Sequence, residues 1–174
     1  MGIRLTNAVT KLDHIAGTKT APIQLLEYGD YQCSSCGDSY WVVKKVLQGM
    51  GDGLCFVFRN FPLTDMHPDA FGAAMAAEAA AFQNKFWGMY DLLYQNQANL
   101  KGDELFVYAK EIGLDMDQFE QDIQSQKLIS LIENQIEDGL ESGVSGTPAF
   151  YINGEKYDGD WDGDELIRYL RTVE

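Results

Sequence analysis

The sequence predicts an α/β domain whose single sheet is interrupted by an all-helical insertion. Three observations carry this. A strand, an amphipathic helix and a second, wholly apolar strand follow one another between Pro22 and Phe58. Residues 65–143 then show only helical spacing. Strand patterning returns at Ala149–Tyr157, with Asn153-Gly154 between two apolar runs, a strong signal for a two-residue hairpin.

Residues 1–20 are polar and read as an extended lead-in. Pro22–Tyr28 reads as a strand that Gly29-Asp30 breaks. From Ser34 to Met50 the residues Tyr40, Trp41, Val43, Val46 and Leu47 recur at helical spacing, and Gly51 and Gly53 end the helix. Leu54–Phe58 is a continuous apolar run, which suits a parallel strand buried on both faces. Strand, helix and strand make a right-handed βαβ unit. Asp65–Phe82 is rich in alanine and free of β-branched residues, so it reads as helix. Further helices are expected over Lys85–Gln97, Asp103–Ile112, Asp115–Ile123 and Leu128–Leu140, with Gly113 and Gly143 as C-caps. Asp164–Val173 reads as a closing helix through Leu166, Ile167 and Leu170. The expected division is therefore a sheet domain over 21–64 and 144–174, with residues 65–143 inserted. Phe82, Phe86, Trp87, Tyr90 and Tyr94 share helical spacing and read as core between insertion and sheet, the alternative being the wall of a peptide groove.

A chain of 174 residues with 45% hydrophobic content suits one domain with such an insertion. The formal net charge of -14 argues against nucleic acid and anionic membrane surfaces as partners and reads as solubility. No segment is long and apolar enough to span a bilayer. Met1–Thr20 has no apolar stretch of the kind a signal peptide needs. The chain as given therefore reads as cytoplasmic, with the bacterial periplasm or cell envelope after removal of a signal as the alternative. Three cysteines are too few for a disulfide-stapled scaffold. Cys55, inside the apolar run, reads as a buried, inert thiol.

The chemistry concentrates in Cys33-Ser34-Ser35-Cys36, at a junction between strand and helix. Two thiols at this spacing can form and break a disulfide within one turn. Cys33, at the helix start, faces unpaired backbone N–H groups that favour its thiolate, so it reads as the attacking nucleophile. Cys36, one turn in, reads as the more buried thiol that resolves a mixed disulfide. Ser34 and Ser35 are small, leave the first sulfur accessible and offer hydroxyls to cap the helix. No His or Arg lies between the cysteines, and Asp30 and Asp38 oppose ionisation, so a mild redox centre is expected from the dipole alone. Glu27, in the preceding strand, is a candidate to shuttle the proton that Cys36 loses, the alternative being a solvated edge residue. Thr147-Pro148 precedes a strand, where a cis peptide would expose backbone for pairing with a substrate strand. Cys33 and Cys36 supply only two of the four ligands that zinc takes, so no metal is expected. His67, before Pro68, reads as a solvated or capping residue. No Gly-rich phosphate loop is present, and neither serine has the setting of a nucleophile elbow.

These residues together resemble a known family. Glu27-Tyr28-Gly29-Asp30-Tyr31-Gln32 running into Cys33-Ser34-Ser35-Cys36 is similar to the DsbA-like members of the thioredoxin superfamily. Arg59-Asn60-Phe61-Pro62-Leu63 with His67-Pro68 and Ala70, Lys85-Phe86-Trp87 with Leu92-Leu93, and Gly143 through Gly154 extend the resemblance from about Asp13 to the C-terminus. The resemblance implies a thioredoxin-like fold, a mixed central sheet flanked by helices, with an inserted helical domain. It implies thiol–disulfide exchange with cysteine-containing client proteins or peptides and a redox partner that resets the pair, without a bound cofactor. Cys33 would be the nucleophile, Cys36 the resolving thiol, Glu27 the buried acid and Pro148 a cis-proline after Thr147. Ser34, Ser35, Thr147 and Pro148 would meet the substrate. Many relatives carry proline after the first cysteine or histidine before the second. Ser34 and Ser35 stand there instead, which leaves oxidase, isomerase and reductase open. Two other readings remain: a peptide-binding or chaperone module whose cysteines form a structural disulfide, and a glutathione-linked transferase or isomerase.

Overall fold

A computed structural model describes residues 2–173. The sheet has five strands in the order β1-β3-β2-β4-β5: β1 (His14–Gly17), β2 (Ile23–Gly29), β3 (Leu54–Asn60), β4 (Ala149–Ile152) and β5 (Glu155–Tyr157). β2 and β3 are parallel and joined through α1 (Ser34–Met50), the expected βαβ unit. β1 and β4 run antiparallel to their neighbours, which makes the sheet mixed. Five helices lie in the chain between β3 and β4: α2 (Ala70–Ala81), α3 (Phe86–Gln95), α4 (Gly102–Glu111), α5 (Met116–Asp122) and α6 (Gln126–Glu141). α7 (Glu165–Leu170) closes the chain against α1. The architecture is a thioredoxin-like α/β fold.

β2 is the central strand, and its alternation sorts side chains between two cores. Ile23 and Leu25 join the core shared with α1–α3, whereas Leu26 and Tyr28 join a smaller core on the other face with Val57, Phe61 and Tyr151. Side chains two apart on a strand share a face. Glu27 therefore points with Leu25 into the larger core, beside Phe58 of β3 and Phe150 of β4. A carboxylate in that place is not an edge residue, and it is 1% exposed.

Some expectations change. The lead-in is extended but not detached, because His14–Gly17 pairs with Cys55–Phe58 as an edge strand. Four residues with one large apolar side chain show too little alternation to mark a strand. The helix expected from Asp65 begins at Ala70, since Pro68 and the turns before it disfavour helix. Phe82 is exposed rather than core, lying just past the end of α2 with the Lys127 ammonium over its ring. Trp41 also faces solvent. Phe86, Tyr90 and Tyr94 are buried, and Tyr90 and Tyr94 meet Phe58 edge to face, so they are core and not the wall of a groove. Asn153 and Gly154 both take positive φ, as the two-residue hairpin requires.

Candidate active site

Cys33 is the N-cap of α1, with extended backbone angles, and its side chain forms no cap hydrogen bond. Ser34 and Ser35 open the helix and are exposed. The sulfur itself occupies the capping position. The Ser35 and Cys36 backbone N–H groups, orphan donors at the helix start, are among the influences that lower its thiol. The loop before it is held by Asp30, which is buried. Asp30 Oδ1 accepts from the Gln32 and Cys33 N–H groups at 2.7 and 3.1 Å. Its Oδ2 accepts from the Leu63 N–H at 2.8 Å and lies 2.9 Å from His67 Nδ1. His67 is thus a half-buried partner of Asp30, not a solvated residue. On the other side, the Gln97 amide donates to the Tyr31 and Cys33 carbonyls at 2.9 and 2.8 Å. Gly37 makes this possible: a Cβ there would stand 2.1 Å from Gln97 Oε1.

The Thr147-Pro148 peptide is cis. Cys33 Sγ lies 3.5 Å from the Thr147 carbonyl oxygen. All three cysteines are free thiols. Cys33 is 8% exposed and Cys36 fully buried. Beside Ser35 opens a cleft lined by Asp38, Val42, Asp160 and Trp161.

The two thiols are electrostatically unlike. The Cys36 S–H hydrogen-bonds to the Cys33 sulfur and is the largest influence that brings the Cys33 thiol down to about 5. Burial opposes it. Thr147 lowers it further. Burial first, and then donation to Cys33, raise the Cys36 thiol well above its ordinary value. A mild centre was expected from the helix dipole alone. The thiol–thiol hydrogen bond, which depends on side-chain placement, makes Cys33 far more acidic than that. Burial likewise lifts the Glu27 carboxyl to about 8, against a lowering hydrogen bond from Ser39. The Ser39 hydroxyl stands 2.8 Å from Glu27 Oε1, and Glu27 Oε2 has no partner. The Glu27 charge is among the influences that raise Cys36.

The fold therefore brings Cys33, Cys36, Glu27, Thr147 and Pro148 into one locality, with Ser34 and Ser35 at its rim. Asp30, Ser39, His67 and Gln97 were not singled out as partners of the site. Nothing local marks Ser39 or Gln97. Asp30, three residues before Cys33, sits where an Asx turn would begin, and that signal was available. Among the described residues no group of three or more His, Cys, Asp or Glu side chains is arranged to hold a metal ion. Cys55 is buried in β3, and burial raises its thiol.

The thioredoxin family profile Thioredoxin_4 matches residues 9–171. The chain belongs to the thioredoxin family. Among solved structures, its fold matches a thioredoxin-like oxidoreductase from Silicibacter pomeroyi (TM-score 0.82, 20% identity, 94% of this chain and 92% of that one). It also matches the thiol-disulfide exchange protein α-DsbA2 from Wolbachia pipientis (0.80, 19%, 94% and 88%). BdbD from Bacillus subtilis is a third (0.78, 21%, 91% and 91%). The fold is thus DsbA-like. In sequence the chain is 39% identical, over 99% of its length, to the Na(+)/H(+) antiporter NhaA 1 of Mycobacterium sp. (strain KMS), and 34% identical over 93% to the NhaA of Herminiimonas arsenicoxydans. It spans only 28% and 26% of those relatives. No helix among the described residues is long and apolar enough to cross a membrane.

Proposed function

We propose that this chain is a thiol–disulfide oxidoreductase acting on extended, cysteine-containing polypeptides. The observation that carries the reading is the placement of an acidified Cys33 sulfur 3.5 Å from the Thr147 carbonyl, beside a cis-proline. A client strand laid against the Thr147-Pro148 backbone brings its own sulfur to Cys33. The cleft beside Ser35 supports this placement by offering room for a flanking client side chain.

The chemistry is a two-electron exchange. A client thiolate attacks Cys33 of the Cys33–Cys36 disulfide, and the Cys36 sulfur leaves, taking a proton from the Glu27 carboxyl. A second client thiolate attacks the client sulfur bonded to Cys33. The client gains a disulfide, and Cys33 leaves as a thiolate. A redox partner then removes two electrons from the pair. The reverse sequence reduces a client. The low Cys33 value favours the oxidising direction, because a stabilised thiolate is both a good leaving group and a stabilised reduced form. Glu27 suits the proton role through its environment. In the mixed disulfide the Cys33 charge is gone, which removes one of the influences holding Glu27 protonated.

The test is the reduction potential of the pair. A value near about -120 mV supports the oxidant, and one near about -270 mV makes the protein a reductant. Insulin reduction and glutathione conjugation run side by side separate protein exchange from a glutathione-linked activity. No exchange of any kind would leave the chaperone reading.

The antiporter similarity favours a second reading of context. In it, this stretch performs thiol exchange next to an ion transporter, within one polypeptide or as a separate partner, and the compartment is set by that membrane protein. Mass spectrometry of adducts trapped by Cys36→Ser in cells decides: transporter cysteines support this context, and secreted or cytosolic clients remove it.

A further inference from the structure

Ser39 lies on the inner face of α1, three residues past Cys36, with no exposure to solvent. Its hydroxyl oxygen is 2.8 Å from Glu27 Oε1 and 3.0 Å from the Cys36 carbonyl oxygen. A hydroxyl has one proton, so it donates to one of these acceptors at a time. When Glu27 is ionised, the charge-assisted bond to Oε1 takes the proton. When Glu27 is protonated, its own O–H donates to Ser39 Oγ, and the hydroxyl proton turns to the Cys36 carbonyl. Glu27 Oε2 is buried without a partner, so Ser39 is the carboxyl group's one hydrogen-bonding contact among the described residues.

We propose that Ser39 is the positioning residue for the Glu27 proton, holding the carboxylate in place against α1 and setting how readily it ionises during disulfide exchange. This rests on the oxidoreductase reading and extends it to a residue outside the reacting pair.

The groups facing Glu27 leave Ser39 alone in this task. From α1 and its N-cap come Cys36 and Cys33, and from the loop before them Tyr31. From α3 come Tyr90 and Tyr94. Phe58 and Phe150, on the flanking strands, carry no charge. The three tyrosines are buried and raised well above their ordinary range, so they stay neutral. Their hydroxyls have no hydrogen-bond partner, Glu27 included. No cation stands among these groups. Of the principal influences on the carboxyl, burial and Cys33 disfavour its charge, and Ser39 favours it.

The step affected is resolution of a mixed disulfide by Cys36. The Cys36 S–H passes its proton to the Glu27 carboxylate, and Cys36 sulfur bonds to Cys33 sulfur. The bond from Cys33 to the client breaks, and the client sulfur leaves as a thiolate that takes a proton from water. The pair is oxidised and the client reduced. The reaction needs Glu27 ionised at the start, and Ser39 supplies the bond that allows it.

The experiment measures client release from a preformed Cys33 mixed disulfide across pH in Ser39→Ala. The midpoint is expected to rise by about one pH unit, and release near pH 7 to slow about tenfold. Ser39→Thr, which keeps the hydroxyl, returns the midpoint. In a Glu27→Gln background Ser39→Ala shifts nothing further. An infrared titration of the protonated-carboxyl band that disappears in Glu27→Gln reads the same midpoint with no client present. If Ser39→Ala does not fold, Ser39→Cys, which keeps the size and replaces the hydroxyl by a weaker donor, must move the midpoint upward. An unmoved midpoint in both measurements overturns the proposal and makes Ser39 a packing residue. A moved infrared midpoint in a protein that releases no client keeps the Ser39 inference and defeats the oxidoreductase reading instead.

Discussion

Cys33 Sγ and the Thr147 carbonyl oxygen lie 3.5 Å apart although 114 residues separate them in the chain. The contact joins the N-terminus of α1 to the loop entering β4. It exists because β2 and β4 are neighbours, so the loop leaving one and the loop entering the other share one end of the sheet. A polypeptide paired with the Thr147 backbone therefore passes directly over the more acidic thiol. In this arrangement Cys33→Ser abolishes exchange, and Cys36→Ser accumulates a covalent adduct with a cysteine-containing peptide. Non-reducing mass spectrometry reads the adduct, and its absence with an active wild-type protein would falsify the assignment of roles.

Alkylation of Cys33 by iodoacetamide is expected to titrate with a midpoint near 5, far below the ordinary thiol. Cys36→Ala deletes the leading cause, the Cys36 hydrogen bond, and raises that midpoint by about one pH unit or more. A midpoint unchanged in Cys36→Ala shows that the helix terminus alone acidifies the sulfur.

Stability against pH carries two opposed contributions. The reduced Cys33 thiol is depressed in the fold from 9.0 to about 5, so its stabilisation is present above the unfolded value and lost as pH falls through 5. Glu27 is raised from 4.5 to about 8, so its contribution is complete below 4.5 and lost as pH rises through 8. Between these limits the slopes oppose one another. Glu27→Gln removes the falling contribution. Urea unfolding of the reduced variant therefore shows stability rising with pH over this window, and a gain over wild type of about 2–5 kcal/mol near pH 9. No gain at alkaline pH means that Glu27 is not held protonated.

Gly37→Ala is expected to leave the fold intact while displacing Gln97, whose amide tip is the obstacle to a Cβ. The Tyr31 and Cys33 carbonyls then lose their donor. Loss of these two bonds is expected to cost about 1–3 kcal/mol, measured by denaturation. Amide exchange at residues 31–34 accelerates. Gln97→Ala reproduces the effect if the amide is its cause.

Arg59 secures the opposite face. Its guanidinium pairs with Asp13 and Asp138 at 2.8 Å each and donates to the Asn7 and Ala8 carbonyls at 3.0 and 3.3 Å. Tyr28 donates to the same Asp138. Arg59→Met leaves the Asp13 and Asp138 carboxylates without their cation, Asp138 being buried in α6. It is expected to destabilise by about 3–5 kcal/mol and to free residues 5–13 to hydrogen exchange. A redox potential unchanged by this substitution confirms that the network serves architecture and not chemistry.

Much of the fold was legible in the chain. The apolar periodicity of 34–50, the continuous run of 54–58 and the Asn153-Gly154 turn each encode a local geometry that packing then preserves. The cysteine pair was legible because its spacing and its helix-start position are both local. The edge strand at His14–Gly17 was not, since its hydrogen bonds go to β3 and its own side chains carry no pattern. Phe82 was misread because helical spacing continues one residue beyond the last turn that meets the core.

The order of residues by itself determined most of the elements, the place of the cysteine pair at a helix start and the candidacy of Thr147-Pro148. Tertiary structure alone decided how acidic Cys33 is, that Glu27 is sealed from water, and that Ser39 and Gln97 belong to the site. The physical reason is range. Backbone preference and side-chain periodicity act over a few neighbours, whereas ionisation depends on every dipole, charge and water molecule within several ångströms, and those are assembled only when distant segments meet.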